Sequence, residues 1–188
     1  MPMVPSHAIA GLTVGIIASR DRWLWIAAAL CAALPDADVL LMHYADVAYE
    51  DPWGHRGISH GLPFAAALAA LVGCSLFPGR RWRASLVIFF ATASQGVLDA
   101  MTDGGLGVAF FSPFSYERFF LPWRPIPVAP LSVEAAFTAS AVRLWLWEIA
   151  FVWGPCLGLL GLLRLVRRGG PPPRGGGKQQ GDEGRSTD

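Results

Sequence analysis

Residues 144–166 read Leu-Trp-Leu-Trp-Glu-Ile-Ala-Phe-Val-Trp-Gly-Pro-Cys-Leu-Gly-Leu-Leu-Gly-Leu-Leu-Arg-Leu-Val. As a helix rising about 1.5 Å per residue, this stretch crosses a hydrocarbon core of about 30 Å. Four further apolar stretches precede it, at roughly 8–19, 23–34, 62–78 and 84–98. The third and fourth suit a thin or tilted arrangement, while the first two, at 12 residues each, are poor spans alone. Joining the first two into one helix would put Arg20, Asp21 and Arg22 near the bilayer centre, at several kcal/mol. A helical hairpin turning at Ser19–Arg22 avoids that, with Trp23 and Trp25 near the interface.

Composition agrees. Of 188 residues, 53% are hydrophobic and only 15% charged, against about 25% charged in an ordinary soluble domain. Mean hydropathy is +0.41. The net charge of +1 provides no broad basic field, so no nucleic-acid partner is indicated, and the bilayer is the expected one. Cys31, Cys74 and Cys156 are dispersed within apolar stretches and suggest neither disulfides nor a thiolate metal site. No basic residue precedes Arg20, so the N-terminus does not read as a signal peptide.

Residues 99–143 differ from the apolar stretches. Phe110, Phe111, Phe114, Phe119, Phe120 and Trp123 are interleaved with Pro122, Pro125, Pro127 and Pro130, which cannot continue a helix. This predicts an ordered, membrane-hugging loop, with a short amphipathic helix near 131–143 begun by Ser132 and Glu134. The expected fold is therefore all-α: an integral membrane bundle of four to five helices with an aromatic, proline-rich loop over one end. Residues 1–168 form the membrane domain, and 169–188, rich in glycine and proline, a disordered cytoplasmic tail.

Charge sets an expected orientation. Eleven of the 15 basic residues fall at 19–22, 79–83, 164–168 or in the tail. The positive-inside rule makes that end cytoplasmic. The opposite end holds Arg56, Arg118, Arg124 and Arg143 against nine acidic groups, and it would face outward.

At that outward end lie the chemically able residues. His7 begins the first stretch, and Asp36 and Asp38 close the second in Leu-Pro-Asp-Ala-Asp. His55 and His60 precede the third in His-Arg-Gly-Ile-Ser-His, and Asp99 and Asp103 end the fourth. Imidazoles and carboxylates together are the ligand set of Zn²⁺, Mn²⁺ or non-haem iron, and seven such groups suit more than one ion. Asp99 and Asp103, four apart, would share a helix face, as if a cation sat between them. On one continuous helix His55 and His60 would point about 140° apart. They meet only if His55 lies on a loop and the next helix starts near Ser59, as N-cap, and Pro63.

Arg56 could clamp a phosphate or carboxylate, or orient a ligand by pairing with a nearby Asp. Arg124 is a weaker candidate of the same kind. His43 reads as a loop residue, and Trp145, Trp147 and Trp153 as packing and interfacial belt. Glu148, inside the last span, should face the bundle, either supporting the site or bonding another helix.

The motifs Ser6-His7-Ala8, Leu34-Pro35-Asp36-Ala37-Asp38, His55-Arg56-Gly57-Ile58-Ser59-His60 and Leu98-Asp99 through Thr102-Asp103-Gly104-Gly105 resemble those of a known family. The family is that of the YdjM-type membrane-bound metal-dependent hydrolases of bacterial inner membranes, itself distantly similar to the zinc phospholipase C and P1 nuclease group. The resemblance covers about residues 1–130. It implies a multi-pass inner-membrane protein in which His7, Asp36, Asp38, His55, His60, Asp99 and Asp103 are metal ligands. Those soluble enzymes use more histidines than the four here, so two ions, zinc or else Mn or Fe, are implied rather than three. In the implied mechanism metal-activated water attacks a phosphoester, lipid or lipid-linked, with Asp38 or Asp103 as base and Arg56 stabilising phosphoryl charge. A metal-binding transporter or sensor is the alternative, and it would spread polar groups through the membrane depth.

Overall fold

A computed structural model describes residues 2–129 and 141–168, and among these the regular structure is entirely helical. Helix α1 (Val4–Ala18) begins with a proline in its first turn and ends where Ser19 turns extended. Asp21 then caps α2 (Arg22–Ala33), its Oδ1 accepting the Trp23 amide at 3.1 Å. The expected hairpin turn at Ser19–Arg22 is thus formed by a helix stop and a new N-cap.

The second stretch does not close at Asp36–Asp38. It tightens into a 3-10 turn at Leu34–Ala37 and continues as α3 (Asp38–Tyr44). Pro35, lacking an N–H, sits in the first turn of the 3-10 segment, where that donor is not needed. The outcome is a continuous 23-residue helix, Arg22–Tyr44, long and apolar enough to cross a membrane.

Helices α4 (Leu62–Leu76) and α5 (Arg81–Ala100) meet at a 117° bend through Phe77–Arg80. The last described elements are α6 (Ala141–Glu148), a π turn at Ile149–Trp153 and α7 (Gly154–Arg168), of which Ala141–Arg167 is a second candidate span. Among the described residues, five helical rods and two to three candidate spans match the expected bundle. The predicted helix near 131–143 falls mostly outside the described residues, and so does the tail from residue 169.

Alanine and glycine let the rods approach. A Cβ on Gly11 would collide with Ala32 Cβ and the Ala28 carbonyl, and one on Gly15 would lie 2.9 Å from the Trp25 Cα. Such small-residue contacts drive helix association where lipid removes the hydrophobic incentive. The core is correspondingly light: Leu24, Cys31, Ala69, Ala84 and Ile88 in one cluster, Ala28, Ala32 and Ala91 in another. Leu30, Leu71, Phe90 and Leu157 instead face outward, while Ser6, His7, Asp36, Asp38, Gln95, Asp99 and Glu148 are buried. Apolar outside and polar inside is the pattern of a chain solvated by lipid.

Two loops, 45–57 and 101–129, cover the end where α1 begins and α5 stops. They interlock through Ala109 N–H to the Arg56 carbonyl (3.0 Å) and through Arg118. The Arg118 guanidinium donates to the carbonyls of His55 (3.0 Å) and Tyr49 (3.2 Å). Isolated bridges, Thr102 with Ile126 and Val108 with Phe119, fold the second loop on itself.

Candidate metal centre

Several rods and loops at this end each deliver a polar group. Asp36 comes from the 3-10 turn, His60 from a second 3-10 turn (Ile58–His60) and Asp99 from the last turn of α5. His55 lies on the preceding loop, as the i, i+5 spacing requires. Asp36, His55, His60 and Asp99 each offer one donor atom, and all four lie within 4.8 Å of one another. His60 Nε2 is 3.4 Å from Asp36 Oδ1 and 3.1 Å from Asp99 Oδ2. His7, from α1, adds its Nε2 at 3.7 Å from Asp36 Oδ2 and 3.6 Å from Asp99 Oδ1. None of the five residues is more than 6% exposed.

Asp38 is buried beside them but faces the far side of the histidines. Its Oδ1 is 2.8 Å from His55 Nδ1; its Oδ2 accepts the Ser59 hydroxyl at 2.7 Å and lies 3.2 Å from His60 Nδ1. With the Ser59 proton on Asp38, Ser59 Oγ accepts from His60 Nδ1 at 2.9 Å. Both Nδ1 atoms then carry protons and both Nε2 atoms keep their lone pairs, that of His60 with the Gln95 amide 3.4 Å away, the tautomer a metal-binding histidine needs. Burial works against the imidazolium of His60, yet the carboxylates of Asp36, Asp38 and Asp99 around it outweigh that and hold its pKa well above the ordinary histidine value.

Arg56 is fully buried, with backbone φ of +63°, a region strained for any residue but glycine. Its guanidinium donates to Thr102 Oγ1 (2.8 Å) and the Gly104 carbonyl (3.0 Å), and Nη2 lies 3.6 Å from Asp99 Oδ1. It therefore ties the end of α5 to the first loop and pairs with an Asp, the orienting alternative considered for it. Gly105, at φ +88°, leaves room for this: a Cβ there would come within 2.8 Å of Arg56 Nη1.

The donor chemistry fits a cation. His7 Nδ1 and Nε2, Asp36 Oδ2, His55 Nε2 and both Asp99 oxygens are buried and make no hydrogen bond. Buried groups of this kind are normally satisfied, and a shared ion would satisfy the five that neighbour one another, His7 Nδ1 lying on the other side of its ring. The sequence matches the YdjM inner membrane protein family over residues 1–169. The chain belongs to the YdjM family. It is also 39% identical over 177 residues to inner membrane protein YbcI of Escherichia coli (strain K12), covering 89% of this chain and 100% of the relative. No solved structure matches.

Not all residues singled out in this YdjM-family sequence converge. His7, Asp36, Asp38, His55, His60 and Asp99 do. Asp103 does not: it is exposed, and its Oδ1 accepts the Val128 amide at 2.8 Å. The expected shared face with Asp99 is lost because α5 stops at Ala100 and Thr102 turns back, its hydroxyl bonding the Asp99 carbonyl at 2.7 Å. Ser59 is not the N-cap of α4. Gly61 takes that place, and the Ser59 hydroxyl serves Asp38 and His60 instead. Arg124 lies over the Phe120 ring, 4.9 Å from its centroid, and His43 is exposed.

Two contributors were not foreseen. Gln95, fully buried, donates from Nε2 to Asp36 Oδ1 at 2.7 Å and stands one helical turn before Asp99. That i, i+4 relation on an apolar helix was the signal available. Arg118 staples the His55 loop through carbonyls, which leaves no sequence trace.

Proposed function

We propose that this chain is an integral inner-membrane metal-dependent hydrolase that directs water at a phosphoester, lipid or lipid-linked. The orphaned donors of His7, Asp36, His55 and Asp99, gathered about the His60 ring, carry the reading. The mixed imidazole–carboxylate set, without thiolate, is that of hydrolytic centres holding zinc, with Mn²⁺ or Fe²⁺ suited to the same atoms. Three carboxylates, Asp36, Asp38 and Asp99, against one guanidinium, Arg56, leave two negative charges when the histidines are neutral. One divalent ion balances them, which favours one ion over the two expected from seven converging groups.

His7, Asp36, His55, His60 and Asp99 would hold such an ion, which would supply Lewis acidity toward water and a phosphoryl oxygen. Asp38 keeps the two histidines in the binding tautomer, so it is a positioning residue and not the base. Asp99, with both oxygens free of hydrogen bonds, is the carboxylate placed to hold a proton at one of them. Arg56 limits repulsion between Asp99 and its neighbours rather than gripping substrate. Outward orientation of the site is supported by Arg20, Arg22, Arg80, Arg81 and Arg83 at the opposite ends of the helices. Exposed Trp53, Phe114, Tyr116 and Trp123 on the covering loops support a lipid-bound substrate.

Closure of the donors favours a second reading, a metal-binding sensor or transporter, which needs no substrate to reach the ion. Metal content of the detergent-purified chain, measured beside hydrolysis of phosphomonoester, phosphodiester and lipid phosphoester substrates, separates them. One equivalent of metal, lost together with hydrolysis in His55→Ala/His60→Ala, is the expected result. Stoichiometric metal with no hydrolysis overturns the enzyme in favour of the sensor or transporter. No bound metal after supplementation overturns both.

A further inference from the structure

A second buried polar group stands behind the metal centre, on a rod that gives the centre no ligand. Glu148 ends α6 inside the last candidate span and is fully buried. Its Oε1 accepts the Met3 amide at 2.8 Å, and its Oε2 accepts the Ser6 hydroxyl. Ser6 Oγ in turn accepts the Trp153 indole N–H at 2.8 Å.

These contacts have a recognisable logic. Met3 is the N-cap of α1 and Ser6 its third helical residue. The first amides of a helix have no partner within it. In a capping box a Glu at the third position reaches back to the N-cap amide. Here that position holds Ser6, and Glu148 supplies the carboxylate from another helix, where the positive end of the α1 dipole also favours it. The π turn at Ile149–Trp153 follows directly. On an α-helix Glu148 and Trp153, five apart, would point about 140° apart. The i, i+5 repeat of a π turn brings them to one face, so both reach Ser6.

His7 follows Ser6. Its ring is fully buried, and neither ring nitrogen makes a hydrogen bond that would fix it from its own side. Its place 3.6–3.7 Å from Asp99 and Asp36 is therefore set by the first turn of α1.

We propose that Glu148 is a positioning residue for the metal centre: by clamping the first turn of α1 it holds His7 within reach of the ion. The inference rests on the metal-binding part of the proposed function and is independent of hydrolysis. It is tested by Co²⁺ titration of the full chain in detergent, following visible absorption, with Glu148→Gln, Ser6→Ala, His7→Ala and the double variants His7→Ala/Glu148→Gln and His7→Ala/Ser6→Ala. Loss of a supporting partner commonly weakens metal binding about 10- to 100-fold, so about tenfold is expected for Glu148→Gln and less for Ser6→Ala. Both should shift the Co²⁺ spectrum toward that of His7→Ala, and neither should weaken binding further once His7 is gone. Ser6→Ala, a small change, carries the test if Glu148→Gln does not fold.

Equal weakening with and without His7 overturns the proposal, because the clamp would then act on the fold at large. Unchanged affinity in both single variants while His7→Ala weakens binding overturns it too. Failure of the wild-type chain to bind Co²⁺ removes the metal reading itself, and this inference with it.

Discussion

Asp36 and Asp38 stand two residues apart at a 3-10 turn, whereas Asp99 and Asp103 stand four apart across the end of α5. In the first pair both carboxylates are buried and divide the work: Asp36 faces Gln95 and His60, Asp38 faces His55 and Ser59. In the second pair Asp99 is buried against His60 and Arg56, and Asp103 is on the surface. At about three residues per turn, positions i and i+2 point to different sides, so one 3-10 turn can serve a ligand point and its supporting shell at once. Positions i and i+4 share a face only while the helix lasts. The contrast teaches that the end of a helix, and not the spacing of its acids, decides whether two carboxylates meet.

The comparison is broken most severely by removing the buried member of the second pair. Asp99→Asn takes away a donor and the counter-charge of Arg56, so the chain should retain no stoichiometric metal after gel filtration. Its affinity should fall by more than the roughly 100-fold that supporting residues reach. Retention of a full equivalent would show that Asp99 is not a ligand. The comparison is sharpened by Asp38→Asn. An amide still meets one histidine but cannot accept from His55 and Ser59 and also favour the Nδ1–H tautomer of His60. Binding should weaken about 10- to 100-fold in a competition titration while stoichiometry at saturation is unchanged. A loss as complete as that of Asp99→Asn would return Asp38 to the ligands.

Much of this was legible in the sequence because the signals were periodic or typed. Runs of apolar residues gave the five rods, the charged stretch at Ser19–Arg22 marked the hairpin turn and Pro63 a helix start, and the His-Arg-Gly-Ile-Ser-His element required His55 to leave the helix. The residues that were misplaced depend on where backbone hydrogen bonding stops. Leu34–Ala37 carries the chain through Pro35 into α3 because a 3-10 turn tolerates the missing N–H, and no apolar count shows that. Ala100 ends α5 where the Thr102 hydroxyl takes the Asp99 carbonyl and the Leu121 amide takes that of Ala100, a tertiary event. Gln95 was hidden by its neutrality, and Glu148 could be seen as buried but its partner on α1 could not.

Asp103 gives the smallest and most discriminating prediction. Its carboxylate accepts one loop amide, from Val128, in an exposed setting where water competes for the same donor. Asp103→Ala should leave metal affinity within about twofold of wild type and lower stability by under about 1 kcal/mol, seen as a small shift in thermal unfolding of the detergent-purified chain. The same residue, read as the helical partner of Asp99, would have been a ligand or the catalytic base, and its loss would abolish binding or turnover. A large loss of metal would mean that the turn at Met101–Gly104 rearranges on binding to bring Asp103 inward. Metal retained but turnover abolished would leave Asp103 as base in a site that opens. With neither loss, the end of α5 at Ala100 is a fixed boundary between a residue that works in the centre and one that only secures its cover.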